Sequence, residues 1–172
     1  GRILAWDNSE KRLSQMKERI KRAGVDNVQI HTLENENDQF IKRHKASADR
    51  VLVDAPCSGS GTWRRNPDLK WRFTAQDLQE TLAAQQAILQ SAARLVKPGG
   101  RLIYATCSIF GKENEAQVNI FLKAYAYFRV VSVDKIWNKL SAPLNAGDYL
   151  RVYPHQDGVD GFFAAVFERL PQ

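Results

Sequence analysis

The chain has 172 residues, 44% hydrophobic and 26% charged, the balance of an ordinary soluble globular domain with a real core. No apolar run approaches the ~20 residues that cross a bilayer, and no basic-then-apolar start resembles a secretory leader, so a cytoplasmic protein without membrane partners is expected. A formal net charge of +6 favours an anionic partner, and two cysteines without paired-cysteine or histidine spacing make neither a zinc motif nor, in a reducing compartment, a structural disulfide.

Strands and helices alternate along the chain, which predicts an α/β fold with a mostly parallel sheet. Arg2–Trp6 reads as a strand running into Asp7. A helix follows, capped by Asn8 or Ser9, with Leu13, Met16 and Ile20 on one face and Gly24 as its stop. Asn27–His31 reads as a second strand, a short helix lies around Phe40 and Ile41, and Arg50–Val53 is a third strand. The stretch from Cys57 to Phe73 has no apolar periodicity and reads as a loop. Thr74 and Asp77 stand at capping-box spacing before a long helix that sets Leu78, Leu82, Leu89 and Val96 on one stripe. Lys97-Pro-Gly-Gly100 stops that helix, because proline cannot continue it and glycine accepts the left-handed cap. The strand Arg101–Ala105, a helix from Glu113 to Tyr125, and strands Phe128–Val133 and Phe162–Phe167 joined by an irregular stretch complete the chain. Residues 1–172 are therefore expected to be one domain.

The two cysteines stand just beyond predicted strands, in Asp54-Ala-Pro-Cys57 and Ala105-Thr-Cys107. Parallel strands joined by a helical crossover are commonly neighbours, and their C-terminal ends face the crevice where open α/β sheets bind ligands. Cys57, Cys107 and Asp54 are thus expected to converge at one rim. Two readings stay open on this ground: buried cysteines acting as small hydrophobes, or a pair of working thiols beside a carboxylate. After them, Trp63, Trp71 and Phe73 alternate with Arg64, Arg65, Lys70 and Arg72. Cations can track phosphates while aromatics stack unpaired bases; RNA contact is expected for Arg64 and Arg65, and core packing for Trp71. Gly59-Ser-Gly61 serves either a close ligand approach or a plain turn.

Asp54-Ala-Pro-Cys-Ser-Gly59 and Ala105-Thr-Cys-Ser108 resemble the two signature motifs of the RNA cytosine-5 methyltransferases, in particular the bacterial Sun/Fmu branch acting on small-subunit ribosomal RNA. Ala5-Trp-Asp7 with Arg12, the run Arg64–Arg72, and Pro154-His155 with Asp160-Gly-Phe-Phe163 resemble further motifs of that family. The resemblance implies a Rossmann-like methyltransferase fold with an antiparallel C-terminal strand, incomplete at its N-terminus. The glycine-rich donor loop, which belongs before the Asp7 strand, does not occur in the sequence. It implies S-adenosylmethionine as methyl donor, held by Asp7 at the ribose, Glu34 near the adenine, and the Asp54-Ala55-Pro56 run. It further implies that Cys107 adds to cytosine C6, that Asp54 bonds the cytosine edge, and that Cys57 assists release. Arg64, Arg65, Lys70 and Arg72 would face RNA, with 16S ribosomal RNA as the expected partner of a monomeric enzyme and no metal involved. The competing expectations are a non-catalytic RNA-binding fragment and a transfer-RNA-directed enzyme of the same chemistry. A thiol redox protein lacks its usual Cys-x-x-Cys spacing, and a methyltransferase acting on an exocyclic amine would leave Cys107 without a role.

Overall fold

The computed structural model describes residues 1–137 and 147–171, which fall into two compact units, Gly1–Arg43 and His44–Gln172. Part of the irregular stretch expected before the last strand lies outside the described residues.

In the first unit, β1 (Ile3–Asp7) and β2 (Val28–Thr32) pair in parallel, with Asp7 opposite Thr32 at their ends. The helix between them, α1 (Glu10–Arg22), begins at Ser9, whose hydroxyl accepts from the Arg12 amide at 3.4 Å. It ends in a Schellman arrangement: Gly24, at φ +63°, donates to Lys21 O, and Val25 donates to Ile20 O. Leu13 on α1 and Ile41 on α2 (Gln39–Arg43) are its buried aliphatic anchors.

The second unit carries the main core. Here β3 (Ala48–Asp54) and β4 (Val96–Thr106) run parallel, and β7 (Phe162–Arg169) lies antiparallel on the other edge of β4. Two short strands, β5 (Phe128–Val130) and β6 (Leu150–Val152), pair with opposite ends of β7. Both are antiparallel to β7, so β7 is the one strand of this sheet that runs against the rest. The crossover from β3 to β4 contains α3 (Pro67–Arg72) and α4 (Ala75–Leu95), and α5 (Glu115–Ala124) follows β4. Two short helices, α6 (Val133–Trp137) and α7 (Pro154–Asp157), lie between β5 and β7.

α4 starts as its sequence requires: the Thr74 hydroxyl accepts from the Asp77 amide at 3.1 Å, and the Thr74 amide donates back to the Asp77 carboxylate at 2.8 Å. Leu89 from α4, Leu102 and Tyr104 from β4, Phe121 from α5, and Phe163 and Phe167 from β7 close the core. Each such buried side chain contributes roughly 1.5–3 kcal/mol. The two-residue period of β3 turns Val51 and Val53 toward this core and sends Leu52 and Asp54 to the opposite face.

Three elements differ from expectation. The stretch after Cys57 is not all loop: a 3-10 turn at Ser60–Thr62 and α3 occupy it, the helix started by Pro67 at its first position. Six residues with no buried side chain leave no apolar period to read. β4 begins at Val96, before the Lys97-Pro-Gly-Gly100 stretch, which bulges out of the pairing with β3 between Ala48 and Arg50. The strand expected over 128–133 stops at Val130, with the Val131 amide still donating to Val166 O at 2.8 Å, and α6 takes over at Val133.

Candidate active site

β3 and β4 deliver the two cysteines to one place. Asp54 pairs with Ala105 at the ladder's end, and the Ala55 amide still donates to Ala105 O at 2.9 Å. Beyond that point both chains turn away, and the Cys57 and Cys107 sulfurs meet at 3.3 Å. Both thiols are free and half-buried. Two sulfurs this close share one hydrogen bond in which either can donate; when Cys107 is the ionised member, Cys57 gives it. The bond it gives to Cys107, reinforced by burial, pushes the Cys57 thiol far up. Accepting that bond brings Cys107 down to about 7, against the opposing effects of burial and the nearby Asp54 and Glu113 charges. Cys107 is the sulfur poised to ionise.

The serine after each cysteine points inward to a common anchor. Glu113, fully buried, accepts from the Ser58 amide at 2.8 Å, the Ser58 hydroxyl at 2.6 Å and the Ser108 hydroxyl at 2.5 Å. Gln85 donates both to Glu113 at 3.2 Å and to Pro56 O at 2.9 Å. Ser60 joins from the 3-10 turn, its hydroxyl 3.0 Å from that of Ser108 and accepting from the Ile109 amide at 3.0 Å. The expectation at sequence level places Glu113 only as the start of a helix. The one available signal is the repeated Cys-Ser pair, Cys57-Ser58 and Cys107-Ser108.

The glycines after Cys57 also have a definite task. The Gly61 amide donates to Cys107 O at 3.0 Å, and Gly61 O accepts from the Gly161 amide at 2.9 Å. A Cβ on Gly61 would lie 2.3 Å from Gly161 O. The close approach is therefore between two segments of the protein's own backbone, the 3-10 turn and the residue before β7. Gly59 supplies the left-handed turn before it, at φ +65°.

Asp54 and Pro56 are exposed at this rim, while Ala55 is buried in the core. Arg64, Arg65, Lys70 and Arg72 are all exposed around α3. Arg65 forms an ion pair with Asp160 yet keeps 65% of its side chain in solvent. Trp63 packs on the cysteine loop, donating to Ser58 O at 3.3 Å and meeting Phe110 edge-on. Trp71 does not pack into the core as expected: it is 82% exposed, with the Lys70 ammonium 5.5 Å from its ring centre. α3 is too short to offer a core face, so Trp71 stands outward beside its basic neighbours.

Asp7 and Glu34 lie in the first unit. The Asp7 carboxylate, at the end of β1, accepts from the Ser9 amide at 2.7 Å and has a longer 3.4 Å contact with Arg12. The second oxygen is the one Arg12 approaches, so each carboxylate oxygen already has a donor within this unit. Glu34 is exposed, and its amide donates to Asp38 at 3.0 Å. Among the described residues no group of three or more His, Cys, Asp and Glu side chains could hold a metal. Among them, too, no helix is long and apolar enough to cross a membrane.

The fold is that of the S-adenosylmethionine-dependent methyltransferases. The crystal structure of NSun6 from Pyrococcus horikoshii with SFG matches it at a TM-score of 0.82 and 28% identity, over 100% of this chain and 42% of that one. Residues 1–168 match the family described as 16S rRNA methyltransferase RsmB/F, and the chain belongs to that family. A probable ribosomal RNA small subunit methyltransferase B of Synechocystis sp. is 38% identical over 168 residues, covering 96% of this chain and 37% of the relative. The ribosomal RNA small subunit methyltransferase B of Erwinia tasmaniensis is 35% identical over 170 residues, 95% of this chain and 36% of its own. The chain spans little more than a third of the length of these relatives.

Proposed function

We propose that this protein methylates C5 of a cytosine in RNA, with 16S ribosomal RNA as substrate and S-adenosylmethionine as donor, through a covalent bond from Cys107 to C6. The observation that carries this is the 3.3 Å thiol pair in which Cys107 is the acidified member. A redox pair would need no RNA-facing surface, and a binding module would need no acidified thiol.

C5 of cytosine is a weak nucleophile; a thiolate added at C6 moves electron density onto C5. Cys107, half-ionised near neutral pH, serves as that thiolate. Asp54, exposed at the end of β3, hydrogen-bonds the N3/N4 edge of the ring and favours the adduct by donating or sharing a proton there. S-adenosylmethionine supplies an electrophilic methyl group. In the first unit Asp7, whose carboxylate accepts from the Ser9 amide and contacts Arg12, is assigned to its ribose and Glu34 to its adenine; in the second unit the Asp54-Ala55-Pro56 run is assigned to it as well. Once C5 carries the methyl, its proton must leave and the C6–sulfur bond must break, returning the electron pair to Cys107. With Cys107 tied up as a thioether, Cys57 loses the partner that held its proton. It can then give its proton to solvent, accept the C5 proton as a thiolate and become a thiol again.

Arg64, Arg65, Lys70 and Arg72 form the RNA-facing surface beside this site, and exposed Trp71 adds a ring on which an unpaired base can stack. On this reading residues 1–172 are part of one catalytic domain of a monomeric cytoplasmic enzyme.

The test is covalent trapping with the protein at full length. Cys57→Ala, incubated with S-adenosylmethionine and small-subunit ribosomal RNA, should accumulate a protein–RNA adduct that survives denaturation. The adduct should disappear when Cys107→Ala is added. RNA binding without any adduct would overturn the mechanism and leave an RNA-binding protein.

A further inference from the structure

We propose that Glu113 is the positioning residue of the thiol pair: one buried carboxylate gathers both cysteine loops and holds the two sulfurs within reach of each other. This rests on the reading of Cys57 and Cys107 as the working pair.

The donors to Glu113 come from three chain segments, and each controls a cysteine. Ser58 follows Cys57 and gives both its amide and its hydroxyl; Ser108 follows Cys107 and gives its hydroxyl. Gln85, itself buried on α4, reaches Glu113 and the carbonyl of Pro56, the residue before Cys57. Cys57 is therefore held on both of its peptide sides by one network. The Tyr104 hydroxyl donates to Glu113 O at 2.7 Å, which fixes the backbone that carries the carboxylate.

Among the described residues no Lys, Arg or His side chain forms an ion pair with Glu113. A buried carboxylate that meets only neutral donors is an expensive way to fill a core, and an apolar side chain would serve packing better. What an apolar residue cannot do is accept from Ser58 and Ser108 together. The carboxylate's charge opposes ionisation of Cys107, whereas the contact it secures with Cys57 favours it. These two effects have opposite signs, so they can be separated.

The experiment follows the alkylation of Cys107 by iodoacetamide against pH in the full-length protein, read by mass spectrometry. The ionisable groups that act on Cys107 are Cys57, Asp54 and Glu113. Glu113→Ala removes the anchor. With the Cys57 contact loosened, the half-reaction pH should rise by about one unit, toward an ordinary thiol. Glu113→Gln keeps the shape and an oxygen for the Ser58 amide while removing the charge. Its profile should stay at or slightly below that of the parent. A fall in Glu113→Ala matching that in Glu113→Gln would show that only the charge matters, and no shift would show that Glu113 does not position the pair. Either result overturns the proposal. Should Glu113→Ala fail to fold, Ser108→Ala cuts a single leg and should shift the profile upward by a smaller amount; no shift there is equally fatal. Alkylation needs neither RNA nor donor. A failed trapping experiment beside intact shifts therefore sinks the enzymatic reading alone.

Discussion

The substitution Gly61→Ala adds one methyl group at the most crowded point beside the thiols. Its Cβ would lie 2.3 Å from Gly161 O, 2.6 Å from Gly161 C and 2.7 Å from Gly161 Cα, all backbone atoms that cannot rotate aside. The two segments must separate, which breaks the 2.9 Å bond from the Gly161 amide to Gly61 O and strains the 3.0 Å bond from Gly61 to Cys107 O. Overpacking of this kind costs about 1–3 kcal/mol, and the lost hydrogen bond adds about 1 kcal/mol. The expected destabilisation is therefore roughly 2–4 kcal/mol, which lowers a urea midpoint by about 1–2 M. Gly111→Ala is the matched control, because its added Cβ meets only the Glu115 carboxylate at an ordinary 3.5 Å. Urea unfolding of both variants, read through tyrosine and tryptophan fluorescence, checks the difference. A Gly61→Ala midpoint equal to that of Gly111→Ala would refute the backbone crossing.

Cys57→Ala removes the donor that acidifies Cys107, leaving burial and two nearby negative charges to act on it. The Cys107 thiolate, present above about pH 7 in the parent, should then form only above the ordinary thiol range. Alkylation of Cys107 at pH 7 should slow by about tenfold or more, and an unchanged pH–rate curve would contradict the sharing of a proton. On the outer surface, Trp71→Ala should weaken binding to single-stranded RNA by about 1–3 kcal/mol with little change in salt dependence. Arg64→Ala should instead flatten the salt dependence by roughly 0.7 of a unit in the log–log slope. Filter binding at several salt concentrations separates the two, and equal effects would mean that stacking and phosphate contact are not divided between these residues.

Local signals carried the elements well where the deciding groups are close in sequence. The Ser9 cap (one of the two residues expected there), the Gly24 stop and the Thr74–Asp77 capping box each depend on residues within five positions, and all three occur. The convergence of Cys57 and Cys107 was also legible, because parallel strands joined by a helical crossover leave their C-terminal ends together. α3 was not, since a six-residue helix with no buried face leaves no period. The outward turn of Trp71 has the same origin: hydrophobic character argues for burial, but burial requires a core face that this helix does not have.

The sequence by itself determined the alternation of strands and helices and the strand-end positions of both thiols. Only the tertiary structure brought the two sulfurs, 50 positions apart in sequence, to 3.3 Å, the contact on which the acidity of either depends. It alone joined Ser58 to Glu113 across 55 positions and set Gly61 against Gly161. These are distance-dependent interactions between segments remote in the chain. No local pattern encodes them, because a residue's period and propensity report its own neighbours and not the partner that folding brings to it.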